Sequence, residues 1–412
     1  MVLTYALLTT LLATEVCLVG DIMKDSPFVE EFYKVFHALD IADKGMPRVV
    51  KSGKRYIKFD GYYRCKRYVT FRFKTSRNLL FSIVEKKLDD LKYALGVDNL
   101  KAEWKDRRLY LTVRYKKTDI IKFRLIESIS TMIPLGFDLD DEVIYWDITK
   151  DSHALVGGAT NCGKSTLLRS IIFFLVASGQ YHIMLADLKE GLEFNTLQHL
   201  KGVIEFADNI DDTMVLIKRY FDIAINRMKI IKDAGCKDFQ AYDKKHPGEM
   251  KRMFLIIDEF AELIPRHKKK GDDDVIDVLI NLARRCRAAG MHIILATQRP
   301  SADVIDGSLK ANFTALIGLR TNNGVNSKII IDETGLEDLD VGEAKAILCG
   351  KNNWFYTMLL EGKQLESMTN QYSVSPNDTI KEKEEIKEQL KLLPQESSLV
   401  DVDSLLESFS VK

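Results

Sequence analysis

Gly158-Ala-Thr-Asn-Cys-Gly-Lys-Ser165 is a complete GxxxxGK[ST] sequence. It follows the apolar run Ala154-Leu155-Val156 and precedes a helical stretch from Thr166 to Val176. A strand, a glycine loop and a helix in that order turn the string into a phosphate site. The glycines let backbone N–H groups face inward. Lys164 supplies a point charge to the outer phosphates, and the Ser165 hydroxyl ligates Mg²⁺. The helix N-terminus adds a positive dipole end. The candidate nucleotide contacts are Gly158, Ala159, Thr160, Asn161, Cys162, Gly163, Lys164, Ser165 and Thr166. The expected ligands are ATP and Mg²⁺. Cys162 stands at a helix start, where thiolates are stabilised. That predicts a reactive thiol protected by bound ATP, with a buried inert cysteine as the alternative.

A chance glycine turn would not come with what lies downstream. Arg252-Met-Phe-Leu-Ile-Ile-Asp258-Glu259 reads as a strand buried on both faces of a parallel sheet and ending in two carboxylates. Asp258 is the candidate second metal ligand beside Ser165, the usual task of the acid in a P-loop NTPase. Glu259, one residue further, is placed to polarise an attacking water. The pair predicts hydrolysis rather than binding alone. A third strand, Met291-His-Ile-Ile-Leu-Ala-Thr-Gln298, ends in a polar group suited to sensing the γ-phosphate. Other classes drop out. There is no Asn-Lys-x-Asp guanine reader and no HRD or DFG set. No cysteine pair has C-x-x-C spacing and the histidines are scattered, which argues against structural zinc.

The 412 residues allow two or three domains, and 46% apolar with 29% charged residues is a globular balance. Six cysteines without framework spacing fit a reducing cytosol. The net charge of zero hides an uneven spread. From Lys44 to Glu127 there are 24 basic against 9 acidic side chains, and from Pro376 to Lys412 there are 5 against 9. The basic stretch is a candidate polyanion surface. A solvated face without a partner is the bland alternative; beside an ATPase, DNA is the better reading.

Four segments emerge. Residues 1–47 are a helical segment whose apolar start is interrupted by Glu15, too early for a span of about 20 residues. It reads as a helix packed on protein or on a membrane surface, with an anchor remnant as the alternative. Residues 26–45 carry an amphipathic stripe of Phe28, Phe32, Val35, Phe36 and Leu39. Residues 48–129 form a small basic α+β module. Its strands are Tyr56–Phe59, Tyr68–Phe73, Leu100–Trp104 and Leu109–Tyr115, and its helix runs from Leu79 to Leu95. Residues 130–362 alternate strands and helices, which gives α/β layers around a mostly parallel sheet. One long helix is expected over Asp212–Ala234. The charge-split loop Arg266–Asp274 is either a solvated turn or a DNA-phosphate contact. Residues 363–412 form a charged tail, expected to be mobile and suited to binding a partner.

Taken together, these residues resemble the motor of the FtsK/SpoIIIE DNA translocases. The resemblance runs from about residue 65 to 362. It rests on His153–Ser165, Ala186-Asp-Leu-Lys189, Arg227–Gly235, Phe239–Tyr242, Ile257–Leu263 and, most distinctively, Arg287–Ile305. It implies a RecA-like P-loop ATPase core preceded by the small module, assembled as a hexameric ring that pumps double-stranded DNA. It gives Lys164, Ser165, Asp258, Glu259 and Gln298 the same roles as the residue reading. The tail is too short and too charged for the winged-helix module of chromosome-segregating members. The short form is more similar to coupling proteins of conjugative plasmids and integrative elements. That implies a bacterial, cytoplasmic protein, with relaxase and channel partners and peripheral membrane contact. Plasmid replication or segregation, phage DNA handling, and a nucleotide-switched scaffold remain alternatives.

A ring also needs a cation given by one subunit to the next across a head-to-tail interface. The candidates are Arg287, Arg320 and Lys328. Lys328 stands where the family has an arginine, and Lys lacks Arg's planar fork. Arg320 and Lys328 are favoured.

Overall fold

The computed structural model describes residues 58–64, 68–74, 84, 86–95, 100–114, 121–126, 131–138, 141–189, 193–264, 275–305 and 307–374. The N-terminal segment 1–47 with its amphipathic stripe, the whole charge-split loop 266–274 and the tail beyond 374 lie outside them. The chain divides into two compact units at Asp119/Ile120.

The smaller unit is a four-stranded antiparallel sheet. Its strands are β1 (Lys58–Arg64), β2 (Tyr68–Lys74), β3 (Leu100–Lys105) and β4 (Arg108–Arg114), in the order β1-β2-β4-β3. Helix α1 (Leu88–Leu95) joins β2 to β3 in sequence. Period-two alternation sends Val69, Phe71, Phe73, Leu109, Leu111 and Val113 into a core with Leu91 and Leu95. The β3–β4 hairpin turns on Asp106 and Arg107, both left-handed (φ 50° and 59°), as a two-residue primed turn requires. The other face is polar. There Asp60 accepts Arg72 at 2.9 Å, Lys74 at 2.8 Å and Arg108 at 2.8 Å. Burial disfavours ionised Asp60, but hydrogen bonds from Lys74 and Arg108 outweigh it and hold its pKa below the usual range.

The larger unit is built on a ten-stranded sheet among the described residues. Its strands are β5 (Met132–Phe137), β6 (Val143–Asp147), β7 (Ala154–Gly157), β8 (Tyr181–Asp187), β9 (Val203–Ala207), β10 (Arg252–Asp258), β11 (Met291–Thr297), β12 (Ala315–Leu319), β13 (Glu343–Leu348) and β14 (Lys351–Tyr356). The order is β6-β5-β14-β13-β12-β7-β11-β10-β8-β9. The six strands from β12 to β9 run parallel, and β13, β14, β5 and β6 extend the sheet in antiparallel fashion. Ile121 and Phe123 bond to Leu359, so the chain joins this unit before residue 130.

Helices cover both faces, which is why β7, β8 and β11 are buried along their whole length. Helix α2 (Lys164–Ser178) packs on one face with Trp146, Phe254 and Ile183 in its apolar cluster. It is longer than the expected Thr166–Val176. Gly179, left-handed at φ 67°, ends it and returns its N–H to Val176 O. On the other face lie α3 (Ile210–Asp233), α5 (Val275–Cys286) and α7 (Gly324–Ile331), with Met184, Leu255 and Ile293 beneath them. Asn209 caps α3 by accepting Asp212 N–H at 2.9 Å. Helix α4 (Phe239–Lys245), helix α6 (Gly307–Asn312) and helix α8 (Gly362–Tyr372) complete the unit.

At the N-terminal edge of the strands, two buried histidines are locked as neutral rings. His153 Nδ1 accepts Ile293 N–H at 3.1 Å, and its Nε2–H donates to Ala283 O at 2.9 Å. Burial lowers its pKa to about 4. His292 Nδ1–H donates to Ser152 O at 2.9 Å, and burial holds it well below the usual range.

Candidate nucleotide site

The C-terminal ends of the parallel strands bring the functional groups together. Gly157 at the end of β7 pairs with Thr297 on β11 and with Gly318 on β12. In the next register over, Asp258 on β10 pairs with Asp187 on β8. This edge is where open α/β sheets bind ligands.

The glycine loop turns through left-handed backbone at Asn161 (φ 58°) and Gly163 (φ 103°). Asn tolerates that region better than most side chains. A Cβ on Gly158 would stand 2.7 Å from Cys162 Sγ, so only glycine fits there. Neighbouring strands hold the loop. Gly158 N–H donates to Thr297 O at 3.3 Å, Ala159 N–H to Arg320 O at 2.8 Å, and Gly342 N–H to Cys162 O at 3.2 Å.

Cys162 corrects the expectation of a reactive thiol. Its side chain is fully buried, and burial pushes its pKa up. Desolvation of a thiolate outweighs the helix N-terminus and the nearby Lys164 charge.

Lys164 is buried and pairs directly with Oδ1 of Asp258, itself fully buried. Burial, then the neighbouring Lys189 charge, lowers the Lys164 pKa, with Glu259 acting in the opposite sense. Lys189 Nζ lies 3.4 Å from the other carboxylate oxygen, Oδ2. Glu259 is buried and left-handed at φ 59°. Such backbone costs a non-glycine residue about 1–2 kcal/mol and collects at functional sites. Its carboxylate accepts Thr297 Oγ1–H at 2.7 Å and Gln298 N–H at 2.9 Å. The Gln298 side chain accepts the Thr160 hydroxyl at 3.0 Å.

Lys164, Lys189, Gln298 and Thr160 line a cleft of about 550 Å³, with Asp258 and Glu259 bonded to them from behind. Ser165, Thr166, Val341 and Glu361 also line it. Ser165 and Asp258 are hard oxygen donors, as a small divalent cation prefers. No described cluster of three His, Cys, Asp or Glu could hold a metal by itself. That donor set suits an ion completed by phosphate and water.

The three cation candidates part company. Arg320 lies beside its own loop, to which its carbonyl is bonded. Arg287 is exposed just after α5, and its charge is felt by His153 at the opposite strand edge. Lys328 is exposed on α7, with its carbonyl accepting Lys310 Nζ at 3.2 Å. Neither Arg287 nor Lys328 borders the cleft of its own chain.

Three residues went unassigned in the sequence reading. Asp187, fully buried, accepts the backbone N–H groups of Lys189 at 3.1 Å, Glu193 at 2.8 Å and Phe194 at 2.8 Å. It fixes the loop that carries Lys189. Thr297 anchors Glu259. The usable signal was an Asp closing an apolar strand two residues before a Lys.

Known proteins agree with this architecture. The FtsK/SpoIIIE family profile matches residues 124–302. The DNA translocase FtsK of Caldanaerobacter subterraneus subsp. tengcongensis is 32% identical over 238 residues, which is 54% of this chain and 31% of that protein. The DNA translocase FtsK of Lactococcus lactis subsp. cremoris is 32% identical over 222 residues, 50% of this chain and 29% of that one. The chain thus matches about a third of the length of these relatives. Among solved structures, the pCW3 conjugation coupling protein TcpA in its monomer form with ATPγS superposes with a TM-score of 0.58 at 23% identity. The match covers 85% of this chain and 98% of that one. The cytoplasmic domain of the Thermomonospora curvata type VII secretion ATPase EccC gives 0.52 at 22% identity, covering 60% and 31%. No described helix is long and apolar enough to cross a membrane. With its phosphate loop and its strand-end acids on one sheet edge, the chain carries a domain of the FtsK/SpoIIIE family.

Proposed function

We propose that this protein hydrolyses ATP to move double-stranded DNA, as a ring of six copies, and that it couples the DNA of a conjugative plasmid or integrative element to a transfer channel. The observation that carries the motor reading is Glu259. An acid that only closed a strand would not be buried in a strained backbone beside Asp258 and tied down by Thr297 and Gln298.

The loop from Gly158 to Thr166 would hold the phosphates of ATP, and Ser165 and Asp258 would share Mg²⁺. The bound metal would supply charge neutralisation on the phosphates. Lys164 turns from Asp258 to the outer phosphates. Glu259 orients the attacking water for in-line displacement and takes its proton. Gln298, released from Thr160, reports the γ-phosphate to the loop. The remaining charge comes from a neighbour's Arg287, Arg320 or Lys328.

DNA binding is assigned to the basic small unit, where Arg72, Lys74 and Arg108 crowd one face. Contacts of that kind go to phosphates, so affinity falls with salt and depends little on sequence. The conjugative part is the finer half of the proposal. Its support is the coupling protein TcpA, which shares the fold over nearly its whole length. Relaxase and channel partners, peripheral membrane contact and a bacterial cytoplasm go with it.

The test is the ATPase rate with and without double-stranded DNA, followed by displacement of a third strand from a DNA triplex. DNA-stimulated turnover with displacement is expected. A slow rate indifferent to DNA would overturn the motor and leave a nucleotide-switched scaffold.

A further inference from the structure

Asp258 has two carboxylate oxygens, and each faces a different lysine. Lys164 takes Oδ1 and Lys189 approaches Oδ2 at 3.4 Å. One carboxylate thus meets two ammonium groups. Among the acids that line the cleft, Glu193 is engaged by Arg169 at 2.7 Å. Lys189 is also the more accessible of the two lysines, its side chain 23% exposed against 2% for Lys164.

The position of Lys189 is built. Asp187 and Asp258 are register partners on adjacent parallel strands, so the loops beyond them leave side by side. The buried Asp187 carboxylate then fastens the Lys189, Glu193 and Phe194 amides. Leu188 N–H reaches Asp258 O at 3.4 Å. The backbone at Lys189 is fixed against β8, while its long side chain lines the cleft with Ser165.

We propose that Lys189 is a second phosphate-directed cation of this site, which holds Asp258 in the empty cleft and swings to the outer phosphates when nucleotide enters. The proposal rests on the reading of the cleft as an ATP site. A ligand drawing on Asp258 must free one of its oxygens, and the longer contact to the more exposed lysine yields first. The freed ammonium is a compact point charge on a flexible stem, which follows a moving phosphate better than a rigid fork does. No bond is made or broken by Lys189.

The test uses the full chain with a fluorescent N-methylanthraniloyl derivative of ATP and of ADP, with Mg²⁺. Lys189→Ala is expected to weaken the triphosphate by about tenfold and the diphosphate by less than about threefold, because the lost contact is charge-assisted and lies toward the outer phosphate. Lys189→Arg, which keeps the charge but not the flexible point-charge geometry, should restore part of the triphosphate affinity. A thermal melt of each nucleotide-free variant checks folding. If Lys189→Ala destabilises the fold, Lys189→Gln takes its place in the same comparison. Parental affinity for the triphosphate, or an equal loss for both nucleotides, in a folded Lys189→Ala or Lys189→Gln protein would overturn the proposal. Lys164→Ala separates the two failures. If it too binds both nucleotides normally, the cleft is not the ATP site. If it alone loses binding, only the role of Lys189 falls.

Discussion

Thr297 donates its hydroxyl to Glu259 at 2.7 Å, which ties the end of β11 to the residue that follows β10. The acid is thereby aimed by a neighbour from a different strand. Glu259→Gln should keep ATP binding and cut turnover by about 10²–10⁴-fold, the range for a lost general base. Thr297→Val keeps the Gln298 amide on Glu259 but removes the second anchor. It should lower kcat by about tenfold, since a hydrogen bond to a charged group contributes about 1.5–3 kcal/mol. Steady-state turnover beside nucleotide affinity checks both. Parental turnover in the Gln variant would remove Glu259 from the water-activating role.

Lys164→Ala should abolish hydrolysis and also destabilise the nucleotide-free protein. Breaking one side of a buried ion pair typically costs about 3–5 kcal/mol, because the partner charge is left behind. Asp258 keeps only the longer Lys189 contact. The double variant Lys164→Ala, Asp258→Asn should recover much of the lost melting temperature without recovering activity. A single variant that melts like the parent would show that the pair contributes little.

Cys162 should resist alkylation in the folded protein, with or without ATP. Among the described cysteines Cys349 is exposed and should be labelled first. Mass mapping after a short iodoacetamide pulse distinguishes them. Rapid ATP-protected labelling at Cys162 would restore the reactive-thiol expectation.

His153 ties stability to pH. Its unfolded ring titrates near 6.5 and its folded ring near 4. The unfolded chain therefore binds more protons in that window. The contribution is complete above pH 6.5 and is lost as pH falls through about 4. The shift corresponds to about 3 kcal/mol at 1.36 kcal/mol per unit. His292, also depressed by burial, steepens the loss. Melting temperature against pH should fall on acidification, and His153→Gln should flatten the slope.

The neighbour-donated cation is found by mixing. Lys164→Ala and a variant of Arg287, Arg320 or Lys328 should each be inactive alone. A mixed ring would pair some intact loops with intact cations. Partial recovery of ATPase activity at one position identifies the donor. No recovery at any of them means that the charge comes from elsewhere.

The sequence disclosed the parts of the site that sit at the ends of apolar runs. Asp258 ends one mainly apolar strand, Gln298 follows another, and Lys164 lies in the loop after a third, a pattern that burial on two faces imposes. Lys189 stood in a family-like stretch, Ala186-Asp-Leu-Lys189, but the string alone gave it no role. Its meaning comes from three amides closing on Asp187. For Cys162 the string gave its place at a helix start but not the direction of Sγ, which turns toward Gly158 and away from solvent. The antiparallel extension was hidden too. Strands β5 and β6 precede the phosphate loop, yet β5 joins β14 more than 200 residues later, a pairing without local periodicity.

The amide of Gly342, which precedes β13, reaches back to Cys162 O, while Gly342 O accepts Thr357 N–H at 2.8 Å. The phosphate loop is thus stitched to the antiparallel half of the sheet as well as to the parallel half that carries it. A loop held from one side can relax around its ligand and keep the disturbance local. A loop pinned from both sides works as a bridge piece, and any rearrangement that nucleotide forces on it loads two abutments at once.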